Sequence, residues 1–355
     1  MGMGNICSIR KRRIVVGLDG FVDRIVHAVD VRDGETYSRI ETISDFGKRI
    51  ISAAGKSTNI ELVQQKRLVG GNGPLLAGAL RNFGANVEYI GALGDCENNI
   101  FRDFARGTSA TSIGDHGETL AVEFSDGKII FGEMLPLHEI SVASILAKMP
   151  DDDLRRRIDL CDALALVNWT MIPHMAEVAR FFADVILPRC AERNRVFFFD
   201  LADPSKRKQL ALAEFLQIIH SFEKFGQAVL GLNVSEAQQV LQAIGESSAL
   251  NESREELQNA AELLRKALGI ANVFIHGIKV SAAATAKETA ATGGYFVANP
   301  QLSTGAGDHY NAGFLAAYLC GCTMDFAVNF AAATAAFYVK MARSPKIEDV
   351  KILEP

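Results

Sequence analysis

Short apolar runs alternate with longer amphipathic segments through most of the chain, and this pattern predicts a layered α/β fold. The apolar runs lie at 13–17, 87–91, 163–168, 195–200, 227–233 and 272–276. They are short and partly β-branched, as strands buried on both faces are. Apolar residues recur with helical spacing between them, at 75–83, 174–187, 234–244 and 253–268. We therefore expect a central, mostly parallel sheet with helices on both faces.

Two regions interrupt this alternation and are typical of β-hairpins. Residues 119–124 and 128–131 alternate on either side of the turn sequence Ser125-Asp126-Gly127. Residues 25–37 also look extended, with a second turn sequence at 32–34. The sequence thus predicts two β-inserts, at about 25–40 and 117–134, within one domain that spans 13–345. We expect residues 1–12 to form a disordered leader and 346–355 a C-terminal tail.

Composition and charge favour a large folded enzyme and argue against some partners. The 355 residues are 48% hydrophobic and 22% charged, enough to bury a sizeable core. The net charge of −5 argues against a nucleic-acid partner, because nucleic-acid surfaces attract basic proteins. No uninterrupted run of about 18 apolar residues or signal-peptide pattern is present, so we expect no membrane association.

The six cysteines favour a reducing compartment. They are scattered at positions 7, 96, 161, 190, 320 and 322, with no Cys-x-x-Cys pair. We interpret them as free thiols in the cytoplasm.

The most informative motif is Ser303-Thr304-Gly305-Ala306-Gly307-Asp308, which runs into the apolar stretch 312–319. A helix start leaves backbone N–H groups without partners and favours negative charge. Glycines let the backbone approach a bound group closely. Asp308 is either a helix-capping acid or a general base beside an anion held by the same turn.

Residues 304–308 resemble the carboxy-terminal signature of the ribokinase-like (phosphofructokinase B) carbohydrate kinases, and 311–314 resemble its continuation with changes. The resemblance implies that Asp308 deprotonates the acceptor hydroxyl. It also implies that the amides of Gly305, Ala306 and Gly307 form an anion hole, with Thr304 on the nucleotide side. The two β-inserts then correspond to a lid over the sugar, which implies a homodimer formed through the lid; the alternative is a pair of surface hairpins with no mobile role.

A second motif, Asn233-x-x-Glu236, lies where a strand ends and a helix begins. It resembles the family's Asn-x-x-Glu motif, which implies that Glu236 organises Mg²⁺ through water and Asn233 reaches the nucleotide phosphates. The alternative is a capping box, with Asn233 as N-cap and Glu236 as its partner.

Acceptor-binding residues are expected near the beginning of the chain. Asp23 follows the first strand, where family members bind sugar hydroxyls, and Asp19 is a second candidate; a carboxylate can accept from two adjacent hydroxyls. Either acid could instead be a turn residue. Gly70-Gly71-Asn72 resembles the family's glycine loop, although Leu75 stands where many relatives have asparagine.

The nucleotide side matches the family less closely. Gly277 follows His276 where relatives usually have Thr-x-Gly, and the family's Lys-Gly turn is replaced at 341–344. Asn329, in a helix that resembles the one covering the purine, is a candidate nucleotide contact.

The sequence predicts an ATP- and Mg²⁺-dependent kinase that phosphorylates a hydroxyl, most simply a primary alcohol, of a sugar or nucleoside. The resemblance leaves room for a monovalent cation. The chain has neither a Gly-x-x-x-x-Gly-Lys-Ser/Thr run nor a Gly-x-Gly-x-x-Gly after a strand, which argues against P-loop kinases and dinucleotide-dependent dehydrogenases. The alternatives are a non-catalytic sugar- or nucleotide-binding regulator on the same fold and a kinase for a vitamin-like alcohol.

Overall fold

The computed structural model describes residues 3–246 and 249–352, which form two sheets. The strands are β1 Arg13–Leu18, β2 Phe21–Asp33, β3 Thr36–Arg39, β4 Leu62–Gly70, β5 Asn86–Ala92, β6 Thr111–Gly114, β7 Gly117–Phe124, β8 Gly127–Glu133, β9 Ala163–Leu166, β10 Arg195–Asp200, β11 Gly226–Asn233, β12 Asn272–His276, β13 Val280–Thr285 and β14 Thr289–Gly293.

The larger sheet has nine strands in the order β14-β13-β12-β11-β10-β9-β1-β5-β6. Neighbouring strands are parallel from β6 to β12, while β13 and β14 extend the sheet as antiparallel strands. The predicted mostly parallel sheet is therefore confirmed. Strands β1 and β9 to β12 end at one edge, where α/β sheets commonly bind ligands.

Helices pack on both faces of this sheet. The helices are α1 Met3–Ile6, α2 Ile43–Ser52, α3 Asn72–Asn82, α4 Arg102–Gly107, α5 Val142–Lys148, α6 Asp151–Leu160, α7 Met175–Phe181, α8 Gln209–Ser221, α9 Val234–Ala243, α10 Arg254–Leu268, α11 Ala306–Leu319 and α12 Met324–Met341. Of these, α2 packs on the smaller sheet instead, where Phe46 contacts Phe124. Strand β10 shows the two cores directly: Phe197 and Phe199 join one apolar cluster, and Val196 and Phe198 join the other. None of the helices in 3–246 and 249–352 is both long and apolar enough to cross a membrane.

The smaller sheet, called the lid below, consists of β2, β3, β4, β7 and β8. It contains the two predicted inserts, with β2 and β3 forming one hairpin and β7 and β8 the other. Strand β4, which pairs with β2, was not predicted. Its central residues, Gln64 to Arg67, are all polar and exposed, so they give no alternating apolar signal. This strand leads directly into the loop Gly70-Gly71-Asn72.

The predicted disordered leader is wrong for residues 3–12. These residues form α1 and a 3₁₀ turn, and the side chains of Ile6 and Ile9 are completely buried. The two isoleucines lie three positions apart on one face, so a short helical segment is enough to bury both. In the tail, Ile347 and Val350 are buried as well. Residues 1–2 and 353–355 lie outside the described residues.

Candidate active site

The motif 303–308 forms the turn that opens α11. Gly305 precedes the helix with a φ of 87°, in the left-handed region that favours glycine, and the helix begins without a side-chain cap. Asp308 lies in the first helical turn. The amide of Ala306 donates to the Ser303 carbonyl at 3.3 Å, so it closes the turn. An anion hole at this turn would therefore depend on the amides of Gly305 and Gly307 more than on that of Ala306.

Two cavities meet at this turn. The first, called the lid cavity, has a volume of about 520 Å³ and lies between the lid and α11. The second, called the edge cavity, has a volume of about 700 Å³ and lies beside β12, β14 and α12. Gly305 and Asp308 line the lid cavity, whereas Ala306 and Gly307 line the edge cavity. One turn of backbone thus forms a wall of both cavities.

Asp308 is buried in an acidic environment. Only 8% of the residue is exposed, and burial raises the pKa of its carboxyl well above the ordinary value, with a further rise from the charges of Asp200 and Asp19. The side-chain amide of Asn72 donates to Asp308 Oδ1 at 2.9 Å and acts in the opposite direction, because it stabilises the charged form. A carboxyl with a raised pKa is a stronger proton acceptor once ionised, as a general base must be.

Three of the predicted acceptor residues lie in or beside the lid cavity. Asp23, Gly71 and Asn72 line it. Burial raises the pKa of Asp23, and the hydroxyl of Thr119 donates to its Oδ1 at 2.6 Å. Gly70 packs directly against the Asp23 carboxyl, where a Cβ atom would have no room. The strand β4 therefore brings the glycine loop against the carboxylate.

Asp19 does not reach the cavity, and its predicted contact with the acceptor is wrong. Its side chain is completely buried and accepts from the amides of Asn72 and Gly73 at 2.9 and 2.8 Å and from Asn168 Nδ2 at 2.7 Å. Burial raises its pKa to about 6, although these hydrogen bonds lower it. Asp19 instead holds the glycine loop and the start of α3 in place.

Asn233 and Glu236 form the capping box of α9. Asn233 Oδ1 accepts from the Glu236 amide at 2.9 Å, and Glu236 Oε2 accepts from the Asn233 amide at 2.8 Å. Glu236 Oε1 also accepts from the amide of Asp203 at 3.1 Å. Burial raises the pKa of Glu236. The capping interpretation is confirmed, and Asn233 in addition lines the edge cavity.

Asp200 and Asn311 complete a buried polar group that the sequence analysis missed. Asp200 ends β10, and its pKa is raised well above the ordinary value by burial and by the charge of Glu236. Asn311 Nδ2 donates to Asp200 Oδ2 at 2.8 Å. The signal for Asp200 was available, since a carboxylate directly follows Phe197-Phe198-Phe199 at the functional end of a parallel strand.

The oxygen atoms of Asp200, Glu236 and Asn311 suit a Mg²⁺ ion that keeps several of its waters, rather than a site in which protein side chains alone surround the metal. Buried Asn311 Oδ1 accepts no hydrogen bond from any residue in 3–246 or 249–352. In the same part of the chain no cluster of three or more His, Cys, Asp or Glu side chains could hold a metal ion. Mg²⁺ commonly keeps waters and binds through one or two carboxylates together with substrate phosphates. Asp200 and Glu236 fit that mode of binding.

Of the remaining residues predicted to bind the nucleotide, some line the edge cavity and others lie behind its wall. Gly277 and His276 line the edge cavity, where His276 stacks on Tyr310 with ring centroids 5.0 Å apart. Asn329 does not line this cavity; its Oδ1 accepts from Thr292 at 2.6 Å, so it supports the wall from behind. Thr304 lines the lid cavity, next to Ser303 in the edge cavity, and its place on the nucleotide side stays a prediction.

The mostly parallel nine-stranded sheet with a small second sheet is the fold of the ribokinase-like kinases, and the family match and relatives given next show that the protein is a carbohydrate kinase of this fold. The chain matches the family model of the prokaryotic ketohexokinases over residues 6–354 and belongs to that family.

Similar proteins agree with this family. A ketohexokinase of Haloferax volcanii is 25% identical over 342 residues, which cover 96% of this chain and 90% of that protein. A carbohydrate kinase from Agrobacterium tumefaciens has the same fold, with a TM-score of 0.64, 20% identity and coverage of 96% and 95% of the two chains. An Arabidopsis thaliana ribokinase complexed with ribose and ATP gives a TM-score of 0.62, 18% identity and the same coverage.

Proposed function

We propose that the chain transfers the γ-phosphoryl group of ATP to a primary hydroxyl of a ketohexose. The observation that supports this most directly is the turn 305–308, whose first and last residues line the lid cavity and whose two middle residues line the edge cavity. A sugar in the lid cavity and a nucleotide in the edge cavity would meet at Asp308. Ketohexose is the acceptor in the name of the family and of the Haloferax relative.

In this mechanism Asp308 accepts the proton of the acceptor hydroxyl. The acceptor oxygen forms a bond to the γ-phosphorus, and the bond from that phosphorus to the β,γ-bridging oxygen breaks. The amides of Gly305 and Gly307 hold negative charge at the helix start, where the helix dipole favours it. Bound Mg²⁺ would neutralise phosphate charge. Asp200 and Glu236 would hold it through water, and Asn233 would contact the phosphates.

The acceptor would be held by groups from the lid and the glycine loop. Asp23 is fixed by Thr119 on one oxygen, which leaves the other free to accept from a sugar hydroxyl. Asn72 contacts Asp308 and lines the same cavity, so it can position the sugar and the base together. Asp23 lies in β2 and Asn72 begins α3 directly after β4, so the pairing of β2 with β4 in the lid brings the two residues to one cavity.

The test is an ATP-consumption assay over ketohexoses, aldohexoses, ribose and nucleosides. It is run in sodium and then in potassium salts, which tests whether activity requires a monovalent cation. Phosphorus NMR of the product identifies the phosphorylated hydroxyl. We expect turnover with a ketohexose, and Asp308→Asn should reduce kcat by about 10²- to 10⁴-fold while ADP still binds. Sugar binding without turnover would support the regulator instead, and turnover only with nucleosides would contradict the ketohexose assignment.

We further propose that the lid mediates a homodimer. Outside the lid cavity, the lid strands expose the apolar side chains Val31, Leu62 and Phe131, and exposed apolar surface commonly marks interaction sites. Light scattering after size exclusion should give twice the 38.5 kDa mass of the chain. Phe131→Asp should shift the mass toward that of the monomer, and a monomeric wild-type protein would refute the proposal.

A further inference from the structure

The site between the two cavities is strongly acidic, and the charge of a transferred phosphoryl group would add to this. Asp19, Asp200, Glu236 and Asp308 are all buried, and the charges of the other three raise the pKa of Asp308. Phosphoryl transfer depends mainly on positioning and on neutralising charge. Cations at the junction of the cavities are therefore needed.

Three lysines are among the described residues that line the two cavities, one in the edge cavity and two in the lid cavity. Lys206 is paired with Asp203 at 3.5 Å, and Lys279 lies over the ring of Phe296 in the edge cavity. Lys128 is placed at the junction itself.

Lys128 reaches this junction from the lid. It lies next to the β7–β8 turn and pairs with Glu123 in the hairpin register. Its ammonium group donates to Thr304 Oγ1 and lies 3.5 Å from Ser303 Oγ, immediately before the Gly305 turn. Burial lowers the pKa of Lys128, and the charges of Glu123 and Asp23 oppose this effect. The lid thus delivers a half-buried cation to the start of α11.

The partners of Lys128 can be exchanged. The hydroxyls of Ser303 and Thr304 are neutral acceptors, and a phosphate oxygen is a stronger, charged acceptor for the same ammonium. Lys128 is on a flexible four-carbon stem, so it can turn from these hydroxyls to a group at the helix start without movement of the strand.

We propose, on the basis of the proposed function, that Lys128 is a further catalytic residue, which binds the phosphoryl group during its transfer from ATP to the sugar. It transfers no proton, since Asp308 receives the proton of the hydroxyl. Its role is to balance the charge on the oxygens of the transferred group. When the lid closes over the sugar, it brings the positive charge of Lys128 to the reaction centre in the same movement. Transfer of the phosphoryl group to water is therefore disfavoured when no sugar occupies the lid cavity.

The experiment compares Lys128→Met, Lys128→Arg and the wild type, with Lys66→Met as matched control. Lys66 is an exposed lysine on lid strand β4 and lines neither cavity. We expect Lys128→Met to lower kcat by about 10²- to 10³-fold with a smaller change in the sugar KM. Lys128→Arg should recover part of the loss, and Lys66→Met should stay within about twofold of the wild type.

A second measurement does not depend on turnover. Aluminium fluoride with ADP and Mg²⁺ mimics the transferring phosphoryl group, and together with the best sugar it should raise the melting temperature of the wild type above that with ADP, Mg²⁺ and sugar alone. Lys128→Met should lose most of this added shift, whereas the shift from ADP itself should remain. Melting of the ligand-free variants, with Lys128→Gln as a second substitution, checks that they fold.

The outcomes separate this inference from the proposed function. Wild-type activity on a ketohexose together with a fully active Lys128→Met overturns the role of Lys128 alone. A variant that changes only the sugar KM and keeps the fluoride-dependent shift also overturns it. A wild-type protein that phosphorylates no acceptor and shows no such shift overturns the proposed function, and the role of Lys128 with it.

Discussion

The imidazole of His309 lies parallel to the ring of Tyr338, with centroids 3.5 Å apart and planes 15° apart. Both rings also hold the turn before α11. His309 Nδ1–H donates to the Gly305 carbonyl at 2.7 Å, and the Tyr338 hydroxyl donates to the Thr304 carbonyl at 3.0 Å. The Ser344 hydroxyl donates to His309 Nε2 at 2.7 Å and thereby fixes the tautomer. The backbone beside the proposed base is therefore supported by a stacked pair from two helices.

We expect His309→Ala to impair both stability and turnover. It removes a buried donor from the Gly305 carbonyl and the stacked ring, which should cost about 2 to 4 kcal/mol of unfolding free energy. Because the turn positions Asp308, kcat should fall by about 10- to 100-fold. Chemical denaturation and steady-state kinetics measure the two effects. His309→Asn, whose amide can replace the Nδ1–H donor, should recover part of kcat; equal losses in both variants would contradict a positioning role.

The same variants test the titration of His309. Burial lowers its pKa to about 4, from an ordinary value of 6.5. The unfolded chain then binds this proton more readily than the folded chain, so the wild type should lose stability as the pH falls from about 6.5 to 4. In both His309 variants that part of the loss should be absent, and the fall in unfolding free energy should be shallower. Buried His276, whose pKa is also lowered to about 4, is present in all three proteins. It therefore contributes the same dependence of unfolding free energy on pH to each of them.

The hydrogen bond from Asn72 to Asp308 gives a prediction for the pH dependence of kcat. Burial raises the pKa of Asp308, so the acid limb of the kcat profile should lie above the ordinary carboxyl range, with activity rising as the pH increases. Asn72→Ala removes a donor that favours the charged carboxylate. The pKa should rise further and the acid limb should move to higher pH, with the sugar KM increased by about 3- to 10-fold.

Thr119→Val is the matched control for Asn72→Ala. It removes one hydrogen bond in the same cavity, from Thr119 to Asp23, and Thr119 is not among the groups that shift the pKa of Asp308. The sugar KM should increase while the acid limb of kcat stays in place. Identical pH profiles for all three proteins would show that Asn72 does not set the ionisation of the base.

The sequence predicted those features whose pattern lies within one short segment of the chain. Strands β10 and β12 begin and end as predicted, because apolar runs buried on both faces are visible without tertiary context. Strands β13 and β14 were missed, since their alanines give a weak strand signal. For the function, the motif at 304–308 predicted the carbohydrate-kinase class that the family match shows, because helix start, glycines and acid are adjacent in sequence.

The predictions about the site that were wrong or missing concern residues whose contacts are far away in sequence. Asp19 and Asp23 both follow the first strand, and only the fold shows that Asp19 faces three donors under the glycine loop while Asp23 faces the cavity. His309 has the same difficulty, because its partner Ser344 lies 35 positions away. Sequence patterns indicate what a residue can do, and the burial of its neighbours decides which role it takes.

The left-handed turn at Gly305 separates a backbone effect from a functional one. Gly305→Ala places a Cβ in a conformation with φ of 87° and 2.8 Å from Leu75 Cδ1. Gly321→Ala, between α11 and α12, has a similar φ of 66° but no atom within 4 Å of the Cβ. Both should lose about 1 to 2 kcal/mol of stability in denaturation, with the larger loss at Gly305. Only Gly305→Ala should lose activity, and a comparable loss in Gly321→Ala would contradict a special role for this turn.

Mg²⁺ dependence tests whether Glu236 is more than a helix cap. Both oxygens of Glu236 accept backbone amides, yet a carboxylate has further lone pairs and its neighbour Asp200 is also acidic. If Glu236 also holds Mg²⁺ through water, Glu236→Gln should raise the Mg²⁺ concentration for half-maximal activity by about 10- to 100-fold. Ser141→Ala is the control, because it breaks the capping box of α5 and should cost about 0.5 to 2 kcal/mol of stability. If both variants lose stability and both keep the wild-type Mg²⁺ requirement, Glu236 acts as a cap alone and the ion depends on Asp200 and the nucleotide.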